Sequence, residues 1–263
     1  MFDLRRFDAV ALDIDGTLAG ADHLVSGFAA GVVRRLAGSG RQVVISTGRS
    51  AANALRVAAQ IGANAPVIAA NGAVVADTAD GRRLRVVAFE PGGAAPYLEL
   101  ADACGLDPVI WTADQMIAAG PGLAVDLLAR AGEHPILFQP RSAWPQAGVI
   151  KVLMAAAPKV LDGLDLDGYP LIQRSLAHFV EATAPAARKD LALAWLLAHL
   201  GIDPARAAVF GDAETDLASL RLAGLGVAPA GAVAAVRAAA GLVIGPHQDD
   251  AVAHLLDQAL AAL

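Results

Sequence analysis

Cysteine, aromatic residues and lysine are all scarce in this chain of 263 residues. The single cysteine, Cys104, excludes a scaffold held together by disulfide bonds. Aromatic residues make up only 5% of the sequence, so the core must be built from the aliphatic side chains that dominate its 56% hydrophobic content. The chain has 3 lysines against 17 arginines, a bias typical of GC-rich coding that suggests a bacterial source.

Long apolar runs and an excess of positive charge are also missing. No uninterrupted apolar segment reaches the ~18 residues of a membrane-spanning helix. The charged residues within positions 1–8 occupy the place where a signal peptide needs an apolar stretch. The formal net charge of −6 argues against a nucleic-acid-binding surface, and the high apolar content excludes intrinsic disorder. We therefore expect a soluble cytoplasmic protein without nucleic-acid or membrane partners, with its oligomeric state left open.

Short apolar strands alternate with helices at both ends of the chain. Such alternation predicts βαβ units and a parallel sheet, which is an α/β fold. In the first part, strands are predicted over 7–12, 42–46 and 66–70, and helices over 26–37 and 51–61. In the last part, helices are predicted over 190–200, 217–223, 233–240 and 251–263, and strands over 207–210, 226–228 and 242–244.

The middle of the chain follows a different pattern. Residues 82–90 alternate like an exposed strand, and a hairpin-like pair is predicted over 171–174 and 178–182. We therefore predict a Rossmann-like parallel-sheet core formed by residues 1–80 and 186–263, with an α+β domain inserted over 81–185.

Polar side chains follow four of the predicted parallel strands. Because ligands bind at the carboxyl ends of the strands in an open parallel sheet, we expect these side chains to share one site. The residues are Asp13 and Asp15, Thr47, Asn71, and Asp212 with Asp216.

Two of these segments each have a functional interpretation and a purely structural one. Asp13 and Asp15 could bind Mg²⁺ through hard oxygen ligands, or one could be a nucleophile that forms an acyl-phosphate. Thr47, Gly48 and Arg49 offer a hydroxyl, close backbone approach and a cation just before a helix N-terminus, where phosphate binds. The alternatives are an Asp-Gly turn for the first and a Ser/Thr helix cap for the second.

The late acidic and basic residues have the same two interpretations. Asp212 could complete a Mg²⁺ site with Asp13, whereas Asp216 could simply cap the following helix. Lys189 is one of only three lysines, and its compact ammonium suits contact with a phosphate or a nucleophilic carboxylate. The alternative for Lys189 is a solvated surface lysine.

Taken together in this order, the motifs resemble those of the haloacid dehalogenase-like superfamily. They are Asp-x-Asp-Gly-Thr from Asp13, Thr-Gly-Arg from Thr47, Asn-Gly from Asn71, the late Lys189, and Gly-Asp-x-x-x-Asp from Gly211. The similarity covers nearly the whole chain. The insertion looks like the α/β cap of that superfamily's Cof-type sugar-phosphate phosphatases.

The resemblance implies a role for each matching residue. Asp13 would attack phosphorus, and Asp15 would be the general acid and then the general base. Thr47, Gly48 and Lys189 would bind the phosphoryl oxygens. Mg²⁺, the implied cofactor, would be held by Asp13, the backbone carbonyl of Asp15, and Asp212. The implied supporting residues are Asp216, Thr215, Asn71 and Arg49.

The expected function is Mg²⁺-dependent hydrolysis of small phosphorylated metabolites, notably sugar phosphates, through an aspartyl-phosphate. Three alternatives remain open. They are a dedicated glycosyl-phosphate phosphatase of the sucrose-phosphate or mannosyl-phosphoglycerate type, a phosphomutase on the same scaffold, and a non-catalytic homologue that binds a phosphate ligand. Thr215 departs from the Asn usual in the family at that position, and Asp190 departs from the usual Gly.

Overall fold

A computed structural model describes residues 2–263, which separate into two compact units. The core unit contains the chain up to Leu84 and from Arg188 onward, and the inserted unit contains Arg85–Ala187. The sequence placed these junctions at 80/81 and 185/186, a few residues before those seen in the structure.

Fourteen strands and nine α-helices form within residues 2–263. The strands are β1 Ala9–Leu12, β2 Gln42–Ile45, β3 Val67–Ala69, β4 Val74–Ala76, β5 Arg83–Val86, β6 Asp107–Trp111, β7 Met116–Ala118, β8 Ile136–Phe138, β9 Lys151–Ala155, β10 Ile172–Leu176, β11 Phe179–Thr183, β12 Ala207–Phe210, β13 Leu225–Pro229 and β14 Leu242–Ile244. The helices are α1 Gly27–Gly38, α2 Ala51–Ile61, α3 Ala95–Cys104, α4 Leu123–Arg130, α5 Pro158–Asp162, α6 Lys189–His199, α7 Leu217–Leu222, α8 Ala234–Ala239 and α9 Ala251–Ala261.

The core unit is built on a five-stranded parallel sheet in the order β14-β13-β12-β1-β2. Strands β1 and β12 are buried along their whole length, as the continuous apolar runs predicted. The parallel α/β fold expected from the sequence is therefore confirmed.

The helices of the core unit begin and end where local chemistry favours it. The Ser26 hydroxyl accepts the N–H of Ala29 at 3.0 Å and caps α1, as predicted. Gly62 ends α2 in the left-handed conformation at φ 78°. Helix α6 buries Leu193, Leu196 and other apolar residues in a core of small aliphatic side chains.

The third predicted strand does not simply extend the parallel sheet. Ile68 of β3 makes one parallel bridge to Ser46, but β3 pairs along its length with β4, in the antiparallel direction, and the two strands belong to a three-stranded sheet in the order β3-β4-β5. The chain reverses there through Asn71, whose φ of 55° lies in the left-handed region. The strand predicted over 82–90 is also shorter and ends at Val86.

The inserted unit has the α+β architecture expected from the sequence. Its six-stranded sheet has the order β10-β11-β9-β6-β7-β8, and β10 and β11 form the predicted antiparallel hairpin. Strands β7 and β8 were not predicted, although β3 and β14, which also have three residues each, were.

Among residues 2–263, no helix combines the length and the apolar composition needed to cross a lipid bilayer.

Candidate active site

The ends of three neighbouring parallel strands bring the predicted motifs together. Strand β1 lies between β2 and β12, so the residue after β1 has both neighbouring strand ends beside it. Asp13 donates its N–H to the carbonyl of Phe210 at 3.0 Å, and Ser46 donates its N–H to the carbonyl of Leu12 at 2.9 Å. The motifs that begin at Asp13, Thr47 and Gly211 therefore leave the sheet at one edge.

Three carboxylates and one ammonium form a cluster at this edge, in which Asp212 is half-buried and the other groups are buried. One carboxylate oxygen from each of Asp13, Asp212 and Asp216 lies within 4.8 Å of the others. The Lys189 Nζ atom lies 2.8 Å from Asp13 Oδ1 and 2.7 Å from Asp216 Oδ1. The Lys189 side chain is only 3% exposed, so its interpretation as a solvated surface lysine is wrong.

The cluster holds more acid than base, and this imbalance shifts its pKa values. Burial raises the pKa of Asp13 well above its ordinary value, and the nearby Asp216 and Asp212 add to this, although Lys189 opposes it. Burial likewise raises the pKa of Asp212. Burial opposes the charge of Lys189, but Asp13 and Asp216 outweigh it and raise its pKa. Lys189 therefore stays protonated, but its single positive charge does not balance the three carboxylates around it.

The donor chemistry of the cluster fits a hard divalent cation. When all three carboxylates are ionised, they outnumber the one ammonium by two charges. Carboxylate oxygens are the ligands that Mg²⁺ prefers, and a dication would neutralise this excess. Asp216 is already engaged, because its Oδ2 accepts the N–H groups of Asp212 and Ala213 at 3.3 and 3.1 Å. This leaves Asp13 and Asp212 as the more available carboxylates.

Asp212 is held in place by the turn that follows β1. The Thr17 hydroxyl donates to Asp212 Oδ1 at 2.9 Å across 195 residues of sequence. Gly16 has a φ of 78°, and a Cβ atom at that position would collide with the Asp212 carboxylate. Gly16 is therefore required both for its backbone conformation and for the close approach of Asp212.

The Asp15 side chain lies outside the cluster and faces two basic residues. Arg49 donates from Nε to Asp15 Oδ2 at 2.8 Å and from Nη2 to Oδ1 at 2.6 Å, and His23 Nδ1 lies 2.9 Å from Oδ1. Burial disfavours the charged carboxylate, but these hydrogen bonds prevail and lower the pKa of Asp15. The predicted metal contact of Asp15 through its backbone carbonyl stays a prediction.

The segments after β2 and β3 pack against each other. The carbonyl of Thr47 accepts the N–H of Asn71 at 3.1 Å, and the Thr47 hydroxyl accepts the N–H of Arg49 at 3.2 Å. A Cβ at Gly48 would lie 3.0 Å from Asn71 Oδ1. A Cβ at Gly72 would collide with the carbonyl of Arg188, so this turn packs directly against the start of α6.

The structure thus brings most of the predicted site residues together, but it separates some of them. Lys189, Asp13, Asp212 and Asp216 meet directly, whereas Asp15 joins Arg49. Thr215 is half-buried in the same turn as Asp216, and its hydroxyl makes no hydrogen bond within residues 2–263.

Two contacts were not anticipated from the sequence. Thr17 belongs to the first motif, and its fixed position beside Asp15 and Gly16 was a signal that could have identified it. His23 lies in a loop without periodicity, eight residues beyond Asp15, and nothing in the sequence pattern indicated its contact.

Comparison with known proteins places the chain in a family. A family model described as haloacid dehalogenase-like hydrolase matches residues 10–256. A phosphoglycolate phosphatase of Methanopyrus kandleri is 28% identical over 254 residues, covering 95% of this chain and 96% of the relative. A 5-amino-6-(5-phospho-D-ribitylamino)uracil phosphatase of Bacillus subtilis is 24% identical, covering 95% of this chain and 96% of that protein.

Solved structures share the fold over nearly the full length. A haloacid dehalogenase-like hydrolase from Bacteroides thetaiotaomicron superposes with a TM-score of 0.86 at 20% identity, covering 96% of this chain and 99% of the other. A sugar phosphatase of HAD subclass IIB gives a TM-score of 0.82 at 21% identity, covering 95% and 98% of the two chains. With the family model matching most of its length, the chain belongs to the haloacid dehalogenase-like hydrolases.

Proposed function

We propose that this hydrolase is a Mg²⁺-dependent phosphatase of small phosphorylated metabolites, with sugar phosphates as the main substrate class. The observation that carries the proposal is the buried Asp13, which lies beside an ammonium and two further carboxylates at the edge of the parallel sheet. The named relatives act as phosphatases, and one structural neighbour is a sugar phosphatase. All the proposed site residues belong to the core unit.

The proposed reaction has two steps. First, an Asp13 oxygen bonds to phosphorus while the bond from phosphorus to the leaving oxygen breaks, and Asp15 gives a proton to that oxygen, which releases an alcohol. Because the pKa of Asp15 is lowered in the structure, this step requires Asp15 to take up that proton when the substrate binds. Second, Asp15 takes a proton from water, the water oxygen bonds to phosphorus, and the bond between phosphorus and Asp13 breaks. Inorganic phosphate leaves, and both aspartates return to their starting states.

The remaining residues would stabilise negative charge or hold this arrangement. Lys189 contacts Asp13 directly and would reach a phosphoryl oxygen of the substrate as well, while Thr47 and Gly48 would contribute a hydroxyl and a backbone N–H. Asp13, Asp212 and the backbone carbonyl of Asp15 would hold Mg²⁺. When bound, Mg²⁺ supplies positive charge that reduces the repulsion between an anionic nucleophile and an anionic phosphate ester.

Four supporting roles follow from the contacts. Asp216 holds Lys189 and accepts backbone N–H groups in the segment that carries Asp212. Asn71 connects the turn after β3 to Thr47, and Arg49 binds Asp15. Thr215 would have no role beyond its position in the turn.

We further propose that the inserted unit is the cap domain of this family.

Hydrolysis of p-nitrophenyl phosphate with Mg²⁺ and with EDTA tests the proposal. Activity should require Mg²⁺ and disappear in EDTA, and Ca²⁺ should replace Mg²⁺ poorly because it is larger and accepts more ligands. A panel of phosphorylated metabolites would then rank the substrates. Asp13→Asn protein purified in the same way reports contaminating phosphatases. Full activity of the wild type in EDTA would contradict the metal assignment.

A further inference from the structure

His23 contacts both members of the ion pair formed by Asp15 and Arg49. Its ring Nδ1 lies 2.9 Å from Asp15 Oδ1, and its backbone carbonyl accepts from Arg49 Nη2 at 3.0 Å. One residue therefore binds the carboxylate through its side chain and the guanidinium through its backbone. None of the motifs discussed above includes His23.

The loop around His23 is built to hold this residue in an uncommon conformation. His23 has a φ of 63°, in the left-handed region that side chains other than glycine rarely adopt. The turn is closed by hydrogen bonds of 3.0 Å from the N–H of His23 to the carbonyl of Gly20 and from the N–H of Gly20 to the carbonyl of Leu24. The Asp22 carboxylate accepts the N–H of Leu24 at 3.0 Å. A strained residue with this much local support is typical of a functional position.

The contacts distinguish the two oxygens of Asp15. Oδ1 accepts from both Arg49 and His23, whereas Oδ2 accepts from Arg49 alone within residues 2–263. A carboxylate oxygen has two acceptor positions. Both positions of Oδ1 are therefore used, and one position on Oδ2 is left for a proton.

We propose that His23 is a positioning residue for Asp15. By donating to Oδ1, the imidazole N–H directs the transferable proton to Oδ2 and holds the carboxyl plane in one orientation. The proton on Oδ2 then passes to the leaving oxygen as its bond to phosphorus breaks, and water returns a proton to Oδ2 in the second step. This inference rests on the proposed function, because it concerns the same two-step reaction.

The test compares two substrates whose leaving groups differ in their need for a proton. p-Nitrophenolate is a weak base and leaves without a proton, whereas an alkoxide requires one. The value of kcat/KM reports the steps through formation of the aspartyl-phosphate. It should therefore depend on the position of Asp15 for an alkyl phosphate, and much less for p-nitrophenyl phosphate. The alkyl substrate is the hexose phosphate that the wild type hydrolyses fastest.

Two variants separate the side chain of His23 from its backbone. His23→Gly removes the imidazole but tolerates a positive φ and keeps the carbonyl that binds Arg49. His23→Asn also tolerates a positive φ and restores a side-chain N–H. Melting curves of both variants show whether the loop and the fold are retained.

For His23→Gly, kcat/KM on the hexose phosphate should fall at least about tenfold more than on p-nitrophenyl phosphate. His23→Asn should recover most of the difference. Equal losses on both substrates, or no loss, would overturn the positioning role. A wild type that hydrolyses no alkyl phosphate would instead overturn the proposed function, so the two failures are distinguishable.

Discussion

The core unit and the inserted unit each bury a lysine beside an acid, but in different settings. Lys151 in β9 is 1% exposed, lies 3.0 Å from Glu181 of β11, and has its Nζ 4.5 Å from the centre of the Trp111 ring. These residues lie within three neighbouring antiparallel strands, β6, β9 and β11, where side chains pack against neighbours. Lys189 instead meets carboxylates that follow the ends of parallel strands.

The two buried lysines differ in the number of acidic side chains around them. In the core unit three aspartates converge, whereas no group of three potential metal-binding side chains converges among residues 85–187. A buried ion pair contributes to structure only when its charges are well compensated. An excess of buried carboxylate has to be relieved by a proton or by a further cation, and groups that bind one or the other are typical of functional sites. A buried lysine therefore does not by itself indicate a functional site. The number of acidic side chains around it, and their location at the strand ends, do.

The largest expected effect on activity is that of substituting Asp13, one of the three aspartates of the core-unit cluster. Asp13→Asn removes the proposed nucleophile with almost no change in shape, so kcat should fall about 10⁴-fold or more. Steady-state hydrolysis of p-nitrophenyl phosphate measures the loss, and a melting curve checks the fold. A variant with near wild-type turnover would exclude the covalent mechanism.

Substituting each buried lysine by arginine should affect activity at Lys189 and stability at Lys151. Lys189→Arg keeps the charge, but its wider planar group does not fit between Asp13 and Asp216. We expect a roughly 10²-fold loss of kcat/KM, about 3 kcal/mol. Lys151→Arg should instead lower the melting temperature, because overpacking costs about 1–3 kcal/mol, while each folded molecule keeps its kcat/KM.

Lys189→Ala completes this comparison. It should lose slightly more activity than Lys189→Arg and should also melt at a lower temperature, because it leaves buried carboxylates without their ammonium. If Lys189→Arg kept most of its activity, Lys189 would be a general electrostatic contact rather than a fitted one.

The acid excess of the core unit should also appear in stability measurements without divalent cations. The raised pKa of Asp13 stabilises the fold at pH below about 4, and this contribution is lost as pH rises through the folded-state pKa. Asp15 has a lowered pKa and acts in the opposite sense, losing its contribution as pH falls.

Asp13→Asn removes the contribution of Asp13 together with its coupling to Lys189 and Asp212. In EDTA, the variant should therefore gain stability relative to the wild type as pH increases from 4 to 8. Urea denaturation across this pH range measures the difference, and added Mg²⁺ should reduce it. A constant difference at every pH would show that the pKa of Asp13 is not raised.

The smallest effect is expected at Thr215. Its hydroxyl makes no hydrogen bond within residues 2–263, so Thr215→Val should change kcat/KM less than about threefold and the free energy of unfolding by less than about 0.5 kcal/mol. A Thr17→Val control removes the hydrogen bond to Asp212 and should lower Mg²⁺ affinity by more. Equal effects of the two substitutions would contradict this distinction.

Much of the fold was predictable because the signals were local and strong. The apolar strand before Asp13 and the capped helix after Ser26 need only neighbouring residues to be recognised. The meeting of Asp13 with Asp212 was predictable because parallel strands carry their carboxyl ends to one edge.

The rest depends on tertiary contacts that no local pattern encodes. The direction of the Asp15 side chain is set by Arg49 and His23, which lie 34 and 8 residues away in the sequence. Lys189 is buried at the start of α6, where Gly72 packs against the backbone at Arg188, a contact between segments far apart in the sequence.

The central position of β1 has a consequence for the order in which the protein is assembled. Its neighbour β2 follows it closely in the chain, but its other neighbour, β12, emerges from the ribosome only after the inserted unit has been synthesised. Contacts over such separations form slowly, because a long loop must close first. During most of its synthesis the chain therefore holds Asp13 without Asp212, Asp216 or Lys189, and the proposed reactive centre becomes complete among the last parts of the nascent polypeptide to fold.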